Sequence, residues 1–235
     1  MNDAVVLVLT YIYVSGVIAV SVTVKQLLKL SVEVSRKIIH VFAGQVIFLI
    51  PLFNTPAMGM ITAISFLVLI YISGPNTKIK FLRKMFEGMA RESEKEHIWG
   101  PFYYAISINV LVGAATIPVL FGNTFLMERF VFIGCALNAM FIGDGIAPLV
   151  VKNRGKSKTL KGSAVVFAGA FLGSFLSVLL VGTVRDYYSI LIMALITATV
   201  ASILERISGH YDNIIMPCGV TSILIISDLL FVLMR

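Results

Sequence analysis

Long apolar stretches recur through the whole chain, near residues 4–24, 38–54, 57–73, 101–121, 126–151, 163–184, 188–204 and 214–234. A helix needs about 20 mainly apolar residues to cross a bilayer. The pattern predicts an all-α fold, a polytopic integral membrane helical bundle of about eight (seven to nine) transmembrane helices, forming a single domain over residues 1–235. The stretches 38–54 and 188–204 are short, so they are expected to be tilted, shallow or broken. Composition agrees: 58% of the 235 residues are hydrophobic and only 13% are charged, about half the charge of a soluble domain. That excludes an ordinary cytosolic enzyme, a disordered protein and a disulfide-built secreted module. Cys135 and Cys218 sit in apolar stretches with no paired spacing, so neither a disulfide frame nor a zinc site is expected.

The net charge of +7 is not a nucleic-acid footprint, because the basic residues gather in a few loops. Of the 19 Lys and Arg, only Arg129, Arg185 and Arg235 fall outside the odd-numbered connections and their flanks. Positive loops stay in the cytoplasm, which places both termini outside and every charged loop on one inner face. No basic residue precedes the first stretch and no small-residue cleavage site follows it, so it reads as a span. The absence of a visible targeting segment favours a prokaryotic plasma membrane. Residues 76–98 mix Phe81, Leu82, Met85, Phe86 and Met89 with Lys, Arg and Glu. They are expected to form an amphipathic helix on the inner surface.

Ionisable groups at membrane depth are costly and point to function. Arg36, His40 and Gly44 recur every four residues, one helical stripe running inward from the basic pair Arg36-Lys37. Their bland reading is a topology anchor and a hydrogen-bonded packing histidine. In Gly143-Asp144-Gly145, followed by Pro148, the glycines and proline are expected to break the helix and expose backbone beside a carboxylate. Asn138 adds a polar group to the same span. The next loop, residues 152–163, carries Lys152, Arg154, Lys156, Lys158 and Lys161 interleaved with Gly155, Ser157, Thr159, Gly162 and Ser163. Cations, hydroxyls and close-approach glycines at the start of a helix suit phosphate groups. The loop matches neither a Walker A nor a Rossmann pattern: position 150 is Val and position 148 is Pro. Glu205 and Asp212-Asn213 flank a short inner loop and could complete a metal site with Asp144. Asp228, Gln45 and Asn109 are isolated polar positions, expected to bond between helices.

In this order, the groups resemble the polyprenol kinase family, the phytol kinase and dolichol kinase relatives. The matching pieces are Arg36-Lys37-x-x-His40-x-x-x-Gly44, Gly100-Pro101-Phe102-Tyr103, Gly143-Asp144-Gly145-x-Ala147, Lys158-Thr159-x-x-Gly162-Ser163, and Glu205 with Asp212-Asn213 and Pro217. The resemblance implies a CTP-dependent kinase acting on the hydroxyl of a long-chain isoprenoid alcohol. It makes Asp144 the essential acid of the nucleotide site, Lys158, Thr159, Gly162 and Ser163 the CTP-phosphate loop, and Asp212-Asn213 the partner motif. Val151 and Lys161 depart from the Gly and Glu that these relatives usually carry.

Phosphoryl transfer is largely positioning plus charge neutralisation. The combined expectation is Mg²⁺ on Asp144, assisted by Asp212 or Glu205, bridging the phosphates of CTP. The five loop cations offset the remaining charge, with Arg36 and Lys37 also expected at the nucleotide. Asp144, Asp212 and His40 all remain open as the base, and His40 could instead bind phosphate with Arg36. A lipid cytidylyltransferase and a CTP-dependent diacylglycerol kinase are the alternatives. His97-Ile98-Trp99-Gly100-Pro101 does not match the Pro-Gly-His-Gly-Gly signature of the former. A small transporter ranks third, since only one span shows a clear interruption.

Overall fold

A computed structural model describes residues 1–74, 76–80, 82–83, 99–151, 159–182 and 187–233, without the side chains of Trp99, His210 and Val232. Each of the eight expected stretches is helical, and no strand occurs among the described residues. Among the described residues, seven helices are long and apolar enough to cross a membrane, and Pro56–Ile72 is an eighth, shorter apolar helix. Helices close their hydrogen bonds within one segment, which is what hydrocarbon demands of a backbone. Hydroxyls follow the same rule. Thr10, Thr62, Ser107, Thr116, Ser174, Ser177 and Thr221 each donate to the carbonyl four residues back on their own helix. Most of the expected surface helix at 76–98 lies outside the described residues.

The chain divides into two compact units, Met1–Met127 and Glu128–Arg235. In the first, α1 (Asp3–Leu27) is capped by the Asn2 side chain. The next helix, α2 (Val32–Gly44), is capped by Ser31 and passes at Gln45 into a 3₁₀ segment, Gln45–Leu52, that ends around Pro51. This change of helix type is the interruption expected of the short stretch 38–54. α3 (Pro56–Ile72) opens on a proline at its first position, where a missing N–H costs nothing. The Asp3 carboxylate accepts the N–H groups of Asn54 and Thr55 at 2.7 and 3.2 Å, tying the start of α1 to the start of α3. α4 (Trp99–Thr116) packs on α3, and the Asn109 amide donates across to the Ala63 carbonyl at 3.0 Å. Gln45, by contrast, donates to Val41 on its own helix rather than to a neighbour.

A short turn, α5 (Phe125–Glu128), precedes the second unit's central helix. That helix runs from Phe130 to Val150 in three parts: α6 (Phe130–Asn138), a π-helical segment Ala139–Asp144, and α7 (Gly145–Val150). From Phe130 to Phe141 every residue except Phe132 is buried. Around it stand α8 (Leu160–Val181), α9 (Tyr187–Ile207) and α10 (Asp212–Leu233). α8 follows the central helix closely because small residues face it. A Cβ on Gly173 would sit 3.0 Å from the Asn138 Cβ and carbonyl oxygen. One turn on, Ser177 accepts from the Asn138 amide at 3.0 Å. Small residues with interhelical hydrogen bonds are the usual adhesive between helices in lipid.

Arg129 and Asp228 supply a different clamp. The Arg129 Nε donates to the Asp228 carboxylate at 2.8 Å, and both side chains are about three-quarters covered. Exposed pairs contribute about 0–1 kcal/mol, whereas breaking a buried one costs about 3–5. Asp228→Asn is therefore expected to lower stability by about 1–2 kcal/mol in detergent unfolding. A charge-free Arg129→Met, Asp228→Leu pair should regain most of that loss.

Candidate active site

Three helical segments of the second unit each deliver one carboxylate. Asp144 closes the π-helical segment. The sequence anticipates a break here, yet the chain stays helical: the backbone absorbs Gly143-Asp144-Gly145 as a widened turn and continues to Val150. The glycine at 143 lets α8 approach this turn closely, because a Cβ there would lie 3.0 Å from the Val166 carbonyl oxygen and 3.3 Å from the Ala170 nitrogen. Single π turns are rare and concentrate at functional positions.

Glu205 lies in the last turn of α9, on the same stripe as buried Thr197 and Ala201, which is why its side chain turns inward and is only 8% exposed. Beyond it the chain must reverse. Gly209, at φ +59, takes the left-handed conformation that glycine adopts without penalty. The 3₁₀ turn Gly209–Tyr211 then leads into Asp212, whose carboxylate accepts the N–H of Asn213 at 2.9 Å. Asp144, Glu205 and Asp212 thereby bring one carboxylate oxygen each to within 4.8 Å of one another.

The donor chemistry and the spacing fit a hard divalent cation. An octahedral Mg²⁺ with oxygens at 2.0–2.1 Å sets neighbouring ligands about 2.9 Å apart and opposite ones about 4.2 Å apart, so the three oxygens would draw in by up to about 2 Å to share one ion. At 4.8 Å and an effective dielectric near 20, ionised carboxylates repel by about 3.5 kcal/mol per pair. A cluster of three therefore favours a cation among them.

The other expected site residues are distributed as follows. Thr159 caps α8, its hydroxyl oxygen accepting the Gly162 N–H at 3.1 Å. Ser163 is buried and donates back to the Thr159 carbonyl at 3.4 Å, while Lys161 is exposed. Two hydroxyls expected at phosphate thus have backbone partners in this conformation. Lys152, Arg154, Lys156 and Lys158 lie outside the described residues.

Arg36, Lys37 and His40 belong to the first unit. Arg36 pairs with Glu33 at 2.7 Å. Its neighbour Lys37, also expected at the nucleotide, is buried and only 2% exposed, because one residue along a helix turns the side chain by about 100°. The His40 ring packs on Tyr104 with centroids 4.5 Å apart, and the Tyr104 hydroxyl donates to the His40 carbonyl at 2.9 Å. Sequence reasoning left out Glu33, although its spacing of three from Arg36 on a helix is a recognised pairing signal. It also left out Arg129 as the partner of Asp228. Those two stand 99 positions apart, and no local pattern joins them.

Among curated proteins, the chain is similar to one named phytol kinase from Synechocystis sp. The two are 28% identical over an alignment of 214 residues, covering 86% of this chain and 83% of the relative. No family model matches the chain, and no solved structure matches it.

Proposed function

We propose, for a chain whose likeness to a phytol kinase supports membership of the polyprenol kinase family, that it phosphorylates the hydroxyl of a long-chain isoprenoid alcohol with CTP as donor. The observation that carries the reading is the meeting of Asp144, Glu205 and Asp212 within 4.8 Å. In this reading the three carboxylates hold Mg²⁺ at the inner face of the membrane. The cation supplies charge neutralisation to the nucleotide phosphates. Lys152, Arg154, Lys156, Lys158 and Lys161 neutralise what remains, and Thr159, Gly162, Ser163 and Asn213 fix the phosphates in place. The alcohol oxygen bonds to the γ-phosphorus, the bond from that phosphorus to the β-bridging oxygen breaks, and CDP leaves. The alcohol's proton passes to a carboxylate of the cluster. The prenyl tail stays in the bilayer among the apolar helices, so the hydroxyl needs to rise only to the inner interface.

The test uses purified protein in detergent with Mg²⁺, a panel of prenyl alcohols, and CTP labelled at either the α- or the γ-phosphate. The expected result is label in lipid from the γ position only, with a preference among the alcohols. Label from the α position would mark a cytidylyltransferase. Transfer to diacylglycerol but to no prenyl alcohol would move the substrate, and no transfer from any nucleotide to any lipid would overturn the kinase reading.

A further inference from the structure

An apolar groove of about 570 Å³ runs along the first unit between α3 and α4. Met60 and Leu67 line it from α3, and Ile106, Asn109, Gly113 and Ile117 from α4 and the residue after it. Among the described residues, Asn109 is the one polar side chain of this lining, and it is only 8% exposed. Its amide nitrogen donates to the Ala63 carbonyl at 3.0 Å and to the Ala105 carbonyl at 2.9 Å, which fixes how the amide is turned. Both donors are thereby used, while the Oδ1 acceptor has no partner among the described residues. A buried acceptor without a donor is costly, most of all in hydrocarbon, where bulk water is not at hand. A single bound water needs about two to four polar partners, and this groove offers one. The fitting occupant is an apolar molecule with one neutral donor. A cation is too costly at membrane depth, and the N–H groups of another helix are spent within that helix. A lipid alcohol has what remains, one O–H group and a long apolar chain.

We propose that the groove binds a long-chain alcohol, its hydroxyl donating to the Asn109 Oδ1 and its tail lying along Gly113 toward Ile117. The lining is asymmetric in the sense this needs. Asn109 is three residues from Ile106 and eight from Ile117, about 4.5 and 12 Å along a helix. The hydroxyl sits near one end, and the tail takes the longer arm. The Oδ1 atom is covered in this conformation, so a side chain of the groove gives way as the alcohol enters. Met60 is suited to do so. Its sulfur lies 3.3 Å from where a Cβ on Gly113 would be, one turn from Asn109, and methionine is unbranched and adaptable. Asn109 follows Trp99 by ten residues, about 15 Å along α4. The groove therefore holds the alcohol at depth, and a phosphorylated alcohol, being charged, is expelled from it. The isoprenoid nature of the chain rests on the kinase reading, whereas the alcohol group rests on Asn109.

The probe is tritiated geranylgeraniol, bound to the full-length protein in detergent with EDTA and read by scintillation proximity. Unlabelled geranylgeraniol and its methyl ether are the competitors, and thermal unfolding is measured in parallel. The alcohol is expected to compete about tenfold better than the ether, the weight of one hydrogen bond. Asn109→Leu, similar in shape and without an acceptor, should erase that preference and keep the ether's affinity. Ala114→Phe places a ring in the groove and spares both Asn109 bonds. It should weaken alcohol and ether alike at a native melting temperature. Equal competition by the two lipids in the native protein overturns the inference. So does an alcohol preference that survives Asn109→Leu, or native binding of both lipids by Ala114→Phe. If Asn109→Leu does not fold, for want of its bond to Ala63, the native preference and Ala114→Phe still decide. Phosphate transfer, assayed with Mg²⁺ on the same native protein, separates the two readings. Groove binding without transfer keeps the groove and sinks the kinase reading, and transfer without groove binding does the reverse.

Discussion

Asp144→Asn protein is expected to transfer phosphate about a thousandfold more slowly than the native chain while remaining folded. Asparagine keeps the shape of the side chain and removes its charge. A metal ion contributes several kcal/mol of charge stabilisation in the transition state, and about 4 kcal/mol corresponds to a factor of a thousand. Stability should move the other way. The substitution removes one of three like charges within 4.8 Å, and so relieves their mutual repulsion when no cation is bound. The variant should therefore melt in EDTA no lower than native and gain less from added Mg²⁺. A variant that keeps native kcat would remove Asp144 from the chemistry. One that fails to fold would instead make the carboxylate a structural group.

Gly169→Ala is expected to lower stability by about 2–3 kcal/mol and kcat by at least about tenfold. The added Cβ would lie 2.8 Å from the Gly143 Cα, 3.1 Å from its nitrogen and 3.1 Å from the Ile142 carbonyl oxygen. All three neighbours are backbone, so no rotamer change makes room, and overpacking of this kind costs about 1–3 kcal/mol. The displaced backbone is the turn that ends in Asp144, so the strain reaches the cluster directly. Gly16→Ala in α1 is the control. Nothing lies within 4 Å of a Cβ there, and glycine-to-alanine in an open helix position stabilises by about 0.5–1 kcal/mol. Detergent unfolding and the kinase assay on both variants separate the two cases. Equal behaviour would mean that the contact between α8 and the central helix is not tight in solution.

These two positions also show where local sequence reading stops. Gly169 looks like any small residue in an apolar run, and only the approach of Gly143 on another helix makes it critical. Asp144 was conspicuous as an aspartate between glycines in a hydrophobic stretch, but its setting, a π turn in a continuous helix, carries no sequence mark. Lys37 is a charge beside a membrane span, read as surface by default, and here it is buried. Thr159 and Ser163 carry a second role. Hydroxyls read as phosphate donors are also the residues that cap and back-bond helices, and here they do both.

The amino-acid sequence by itself determined where the apolar helices lie along the chain and their order. Each span needs only its own run of apolar residues, since hydrocarbon leaves the backbone no partner outside its helix. It likewise singled out Asp144, Glu205 and Asp212 as ionisable groups within or beside apolar stretches, where charge is costly. The tertiary structure alone decided that their oxygens meet within 4.8 Å. It also decided that Arg129 closes on Asp228 at 2.8 Å and that Gly143 and Gly169 touch. Contacts between residues far apart in the chain depend on how helices are turned and tilted against one another. That is set by the summed packing of whole helix faces, which no single stretch of sequence contains.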